Sequence, residues 1–167
     1  MARVFTVSDS ITVAVSPDAA YDAVSRPADM GRWSPENLGT TNASPAGAAG
    51  LGTTFVGRNK RGAFRWTTRC TVTAAEPGRR FAFRVHAIGL KRPFLRGPIA
   101  TWEYRFEQVD GGTRVTETWT DDRRAWPTFA ANAFDRVATP GKTFAAFQGR
   151  NIAATLRNLK RELELEG

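Results

Sequence analysis

Phe64–Ala87, FRWTTRCTVTAAEPGRRFAFRVHA, and Ile99–Asp121, IATWEYRFEQVDGGTRVTETWTD, decide the fold of this chain. Each is a pair of alternating segments around a turn signal, Pro77-Gly78 in the first and Asp110-Gly111-Gly112 in the second. Alternation at a period of two marks a strand with one buried face. Gly-containing turns between two such runs make hairpins. The reading is four strands, Phe64–Glu76, Arg79–Ala87, Ile99–Val109 and Thr113–Asp121, with Ile88–Pro98 as a loop between the hairpins.

Working outward, Thr53–Asn59 runs through Lys60-Arg61-Gly62 into the first of these strands, and Val4–Val15 alternates as another. Ser16-Pro17-Asp18 offers an N-cap with Pro at the first helical position, opening a short helix over Ala19–Ser25. A second short helix is expected over Ala28–Trp33 and an edge strand near Leu38–Asn42. Downstream, a helical stretch lies near Thr128–Val137. Pro140-Gly141 breaks it, and Lys142–Leu165 reads as one long helix with Ile152, Leu156, Leu159 and Leu163 on a single stripe. Neither a repeat nor a linker interrupts the order, so residues 1–167 are read as one α+β domain. Its expected architecture is a curved antiparallel sheet of six or seven strands around the C-terminal helix, with two short helices after the first strand.

Composition excludes several classes. The 167 residues are 41% hydrophobic and 24% charged, a globular balance. One His and one Cys cannot assemble a Cys/His zinc site or a disulfide, which fits a reducing compartment. The start of the chain lacks the apolar run of a signal peptide, and no window approaches a membrane span. A cytoplasmic protein without stable membrane insertion is expected. The net charge of +8 rests on 20 Arg and only 4 Lys, beside 25 Ala, the bias of a GC-rich coding background. No recognition helix, stacking platform or zinc motif accompanies the arginines, so no specific nucleic-acid partner is expected. A Gly-rich phosphate loop, a GxSxG elbow and HExxH are also missing, and neither a cofactor nor a metal is expected.

The turns set a register. With Pro77-Gly78 as the turn, Glu76 pairs with Arg79, Cys70 with Val85, and Arg69 with His86. With Gly111-Gly112 as the turn, Trp102 meets Asp121, Tyr104 meets Trp119, and Phe106 meets Glu117. One face then collects Phe55, Phe64, Trp66, Thr68, Cys70, Val72, Phe81, Phe83, Val85, Trp102, Tyr104, Phe106, Val115 and Trp119. The other collects Arg58, Arg65, Arg69, Arg84, His86, Glu103, Arg105, Glu107 and Arg114. Cys70 and His86 fall on opposite faces, which excludes a thiolate–imidazole dyad.

The aromatic wall has two readings: it fills the core, or it walls a pocket for a planar or lipidic ligand. Glu117 and Asp121 share the inward face with Trp119. A buried carboxyl there has a raised pKa and suits a general acid or a hydrogen-bond donor. Alternatively, Glu117 pairs with an inward-reaching Arg150 or Arg157, or sits at a wet mouth. Asp9 shares the apolar parity and is a candidate to join such a network, and Asn59 is expected to reach the same rim. Two loops, Arg58–Arg61 and Leu90–Arg96, mix cations with apolar residues. The second, carrying Phe94 and Leu95, either guards a pocket mouth or touches an anionic membrane surface.

The opening SITVAVSPDAAYDAVSRPADMGRWSP and the ending GRNIAATLRNLKRELE, in this element order, resemble the START-related helix-grip (SRPBCC) superfamily, in its polyketide cyclase/dehydrase-like branch. The resemblance runs over about residues 5–165. It implies a cavity between the sheet and the last helix that binds a small hydrophobic molecule of polyketide-, lipid- or aromatic-like character. The residues expected to meet it are Phe55, Trp66, Phe81, Phe83, Trp102, Tyr104, Glu117 and Trp119 from the sheet, with Phe144, Phe147 and Gln148 from the helix. Glu117, Asp121 and Tyr104 are the candidates for proton transfer if the protein is instead an aromatase/cyclase-like enzyme. A third possibility is an interaction or stress protein that docks a partner on its basic outer face.

Overall fold

The computed structural model describes residues 4–41, 47–138 and 144–165, the side chains of 134, 137, 138 and 144 excepted. The elements are β1 (Thr6–Val13), α1 (Pro17–Val24), a 3-10 turn over Pro27–Arg32, β2 (Asn37–Thr41), β3 (Thr54–Arg61), β4 (Phe64–Glu76), β5 (Arg80–Gly89), β6 (Leu95–Val109), β7 (Gly112–Asp121), α2 (Thr128–Ala138) and α3 (Phe144–Leu165). Among the described residues seven strands form one antiparallel sheet in the order β1-β7-β6-β5-β4-β3-β2. The sheet curves around α3, giving the expected α+β helix-grip architecture. Asn42 and Lys142, the outer limits expected for β2 and α3, lie outside the described residues.

Local chemistry accounts for most boundaries. Ser16 Oγ accepts the Ala19 amide at 3.2 Å and Pro17 opens α1, satisfying one orphan donor and omitting another. The Tyr21 ring then packs edge-on against Phe81 and Phe106, holding α1 to one end of the sheet. The second short helix is a 3-10 turn, closed by Trp33 N–H to Met30 carbonyl. The α3 stripe of Ile152, Leu156, Leu159 and Leu163 is buried, and α3 packs on β1 and β7. Lys160 Nζ donates to the Thr12 carbonyl at 2.9 Å, and Glu164 accepts the Ala14 amide at 3.1 Å.

The register differs from expectation in three places. In the second hairpin Val109 pairs with Gly112, so the turn is Asp110-Gly111 and the pairing slides by two residues. Trp102 therefore meets Trp119, Tyr104 meets Glu117 and Phe106 meets Val115. Gly112 is a strand residue at φ 144°, and a Cβ there would collide with the Val13 carbonyl. The second glycine serves close packing rather than the turn. In the first hairpin Glu76 pairs with Arg80, and irregularities at Arg69/Cys70 and Val72/Ala74 leave Arg69 opposite Ala87, while Cys70 keeps Val85. The expected loop Ile88–Pro98 shrinks to residues 90–94, because β5 continues to Gly89 and β6 begins at Leu95. Gly97-Pro98 falls where the β5–β6 register is irregular, so the missing proline N–H removes no ladder bond.

A slip of two preserves pleat parity, so the two faces survive. Outside, Glu103 accepts from both Arg80 and Arg105 at 2.7 Å, and Arg114 pairs with Glu107 at 3.3 Å. Inside, Phe55, Cys70, Val72, Phe83, Val115 and Trp119 are buried. Phe64, expected inside, is 40% exposed at the end of β4, where it stacks on Trp66.

Candidate functional site

Between the sheet and the first turns of α3 lies a cavity of about 140 Å³. Apart from Ile88, its strand walls follow from parity. β3 contributes Phe55, Asn59 and Arg61; β4 contributes Trp66, Thr68 and Cys70; β5 contributes Phe83, Val85 and Ile88. β6 adds Trp102 and Tyr104, β7 adds Glu117 and Trp119, and α3 closes the space with Gln148 and Asn151. The wall is mostly aromatic and aliphatic with a few convergent polar groups, the usual make-up of a small-molecule site.

The polar focus is Glu117, 2% exposed, directly across from Tyr104. Tyr104 Oη donates to Glu117 Oε1 at 2.8 Å, while Glu117 Oε2 has no hydrogen-bond partner among the described residues. Burial pushes the Glu117 carboxyl up to about 8; the Tyr104 hydrogen bond opposes this and the charge of Asp9 adds to it. Burial, and then the charge and hydrogen bond of Glu117, hold the Tyr104 phenol well above its ordinary range. At neutral pH Glu117 therefore carries a proton, and its Oε2 makes no hydrogen bond among the described residues. Gln148 Oε1 is likewise buried and unpartnered. A ligand with an oxygen acceptor for Glu117 and a donor for Gln148 would satisfy both groups.

The other expected residues divide. Phe55, Trp66, Phe83, Trp102, Tyr104, Glu117, Trp119 and Gln148 all line the cavity. Phe81 does not: it is fully buried under α1, against Tyr21 and Phe83. Phe147 stands just outside the wall, where the Arg61 guanidinium carbon lies 3.6 Å from its ring centre. The Phe144 side chain lies outside the described residues. Asp121 is buried but occupied. It accepts Arg123 Nε and Nη2, each at 2.9 Å, and the Arg123 amide at 3.0 Å. It holds Arg123 at the cavity wall rather than meeting the space itself. Neither Arg150 nor Arg157 pairs with Glu117, since both are exposed. Asp9 is exposed too, with Oδ1 taken by the Ser10 amide. Asn59 does line the wall and donates to Thr68 Oγ1 at 3.4 Å.

Two arginines were missed by sequence reading. Arg61 lines the cavity, pairs with Glu36 at 2.7 Å and lies over both Trp66 and Phe147. Burial raises the Glu36 carboxyl, against the opposing bond from Arg61. Extending the alternation Phe55, Gly57, Asn59 by one step would have found Arg61. Arg123, 2% exposed, bridges Asp121 and, at 2.9 Å, Asp135 of α2. Its signal was the Asp121-x-Arg123 spacing, which puts opposite charges on one face.

Cys70 and His86 are apart, as parity requires. Cys70 is buried in the wall with its thiol pushed up to about 12 by burial. His86 hydrogen-bonds Thr71 Oγ1 at 2.8 Å on the other face, and burial followed by the charges of Arg69, Arg84 and Arg96 lowers its pKa. Among the described residues no group of three His, Cys, Asp or Glu is placed to hold a metal ion. No described helix is long and apolar enough to cross a membrane.

Known proteins agree with this architecture. None of the curated proteins matches the sequence. The polyketide_cyc-like protein Cgl2372 of Corynebacterium glutamicum, solved by NMR, is 28% identical, with a TM-score of 0.57 over 99% of this chain and 95% of that one. The crystal structure of MLL2253 from Mesorhizobium loti superposes with a TM-score of 0.64 at 12% identity, covering 97% and 98% of the two chains. StfQ, a di-domain ARO/CYC of the steffimycin biosynthetic pathway, gives 0.68 at 16% identity; 97% of this chain covers 51% of StfQ. The sequence pattern described as polyketide cyclase / dehydrase and lipid transport matches residues 4–164, nearly the whole chain. By that match this chain belongs to the polyketide cyclase / dehydrase and lipid transport family.

Proposed function

We propose that the protein holds a small hydrophobic molecule of polyketide-, lipid- or aromatic-like character between the sheet and α3. In this reading Glu117 donates a hydrogen bond to an oxygen of the ligand, and Gln148 meets a second polar group. The observation that carries it is Glu117 Oε2, buried in an aromatic cavity and without a hydrogen-bond partner among the described residues; burial, which raises its pKa, makes it a donor at neutral pH. Trp66, Trp102, Trp119, Phe55 and Phe83 offer flat apolar contact, and Tyr104 holds one oxygen of the Glu117 carboxyl while the other has no partner among the described residues. The family's lipid-transport and cyclase members support a ligand of this class. Native mass spectrometry of protein purified from its own host tests it. A retained small apolar molecule is expected, bound more weakly in Glu117→Leu, and a chain that carries nothing and takes up no apolar probe contradicts it.

A second reading, an aromatase/cyclase-type catalyst, is favoured by the same carboxyl. An acid near 8 is matched to proton transfer at neutral pH, and a positioned acid of this kind contributes roughly 10²–10⁴-fold. Glu117→Gln separates the two. Binding kept with turnover lost by about two orders of magnitude or more identifies a catalyst. Binding kept, with no turnover in the parent protein, identifies a carrier.

A further inference from the structure

The antiparallel order brings one set of strand ends together. The β3–β4 hairpin at Arg61/Phe64, the β5–β6 hairpin at Ile88/Leu95, the end of β7 and the start of β1 all lie at the same edge of the sheet. α2 joins them through the Asp135–Arg123 ion pair. The large apolar side chains left exposed concentrate there: Val4, Phe64, Leu90, Phe94, Leu95 and Phe129, with Phe94 76% and Phe129 78% exposed. Exposed Lys60, Arg65, Lys91, Arg92, Arg96 and Arg124 surround them. The acids nearest this edge are engaged inside the protein. Glu36 is held by Arg61, Asp121 and Asp135 by Arg123, and Asp122 by Thr101.

The projecting tip of the β5–β6 hairpin is built, not loose. Thr67 Oγ1 donates to the Gly89 carbonyl at 3.2 Å, and the Phe94 amide donates to the Arg92 carbonyl at 2.9 Å. A Cβ on Gly89 would strike that Arg92 carbonyl and crowd the Phe94 ring, so the fold over Gly89 depends on glycine. This tight turn presents Leu90, Phe94 and Leu95 outward between three cations. Exposed apolar side chains clustered within a polar rim mark an interaction surface. Apolar tips that enter the headgroup boundary, ringed by Lys and Arg that meet lipid phosphate, are the chemistry of reversible docking on an anionic bilayer. The cavity wall reaches the same edge through Arg61, Ile88 and Arg123.

We propose that this edge is a docking surface for an anionic lipid bilayer, with Phe94 and Leu95 entering the interface and Lys91, Arg92 and Arg96 pairing with lipid headgroups. Docking there sets the cavity beside the membrane from which an apolar ligand would be taken up. The surface stands on exposure and charge, independently of what the cavity holds.

Cosedimentation of the full chain with phosphatidylcholine vesicles, with and without phosphatidylserine, tests it. Binding is expected only to the phosphatidylserine vesicles, and it should weaken as salt rises above about 0.1 M. Lys91→Ser/Arg92→Ser/Arg96→Ser should lose about a hundredfold or more in vesicle affinity. Phe94→Ser/Leu95→Ser should lose about tenfold or more. Both variants should melt like the parent and bind an apolar dye in the cavity unchanged, which separates failed docking from a failed pocket. Absence of binding to phosphatidylserine vesicles at low salt, or affinity unchanged in both variants, would overturn the proposal. So would a DNA duplex that binds this edge at physiological salt while vesicles do not.

Discussion

At the scale of single residues the account turns on one proton. The folded value of Glu117, about 8, lies above the ordinary 4.5. The native chain therefore keeps a proton that the unfolded chain releases. This contribution to stability is whole below about pH 4.5 and is lost as pH rises to about 8. Glu117→Gln has nothing to titrate. Its unfolding free energy should gain on the parent protein by about 1.4 kcal/mol per pH unit through that window. Denaturant melts at several pH values check this, and parallel curves would mean that Glu117 is already ionised. The carboxyl itself was legible in the sequence, because its parity with Trp119 placed it inward. Its partner was not: the tyrosine expected opposite Trp119 stands opposite Glu117, since Gly112 belongs to the strand. Arg61 and Arg123 were hidden for a related reason. Arginines beside turns read as surface charge, although the β3 alternation and the Asp121-x-Arg123 spacing point inward, and the pairing with Glu36 and Asp121 shows them turned that way.

At the scale of elements, α3 does two different jobs along its length. Its C-terminal half is packed core, so Leu159→Ala, fully buried, should cost about 2–5 kcal/mol. Its first turns border the cavity. Phe147 is half-buried beneath Arg61, and Phe147→Ala should cost clearly less than the roughly 3–5 kcal/mol of a packed aromatic. Equal losses in denaturant melts would make α3 a uniform core helix. The hairpins, the N-cap of α1 and the α3 stripe were readable because turn chemistry and periodicity are local. The extent of β5 and β6 was not. Gly97-Pro98 signals a break, and only the irregular pairing opposite it lets the strand continue to Leu95. The irregularities in β4 left no sequence mark, since an extra residue in one strand is defined only by its partner.

At the scale of the whole molecule, one end is built to be closed and the other is not. Tyr21, Phe81 and Phe106 seal the sheet beneath α1, whereas the opposite strand ends carry the cavity wall, the exposed aromatics and exposed cations. The net charge of +8 is placed unevenly: on the outer sheet face Arg80, Arg105 and Arg114 pair with Glu103 or Glu107, while at the cavity end Arg61 and Arg123 hold the nearby carboxylates and Lys91, Arg92 and Arg96 stand exposed at the hairpin tip. A cavity of about 140 Å³ lined by tryptophans and a protonated carboxyl is the feature on which the functional reading depends. Titration of an environment-sensitive apolar dye into the intact chain tests it most directly, beside Cys70→Phe, whose ring would project from the wall into that space. The account predicts saturable binding at one site per chain, abolished or strongly weakened in a folded Cys70→Phe. A parent protein that takes up no dye, or a folded Cys70→Phe that binds it equally well, would contradict a ligand-holding cavity between the sheet and α3.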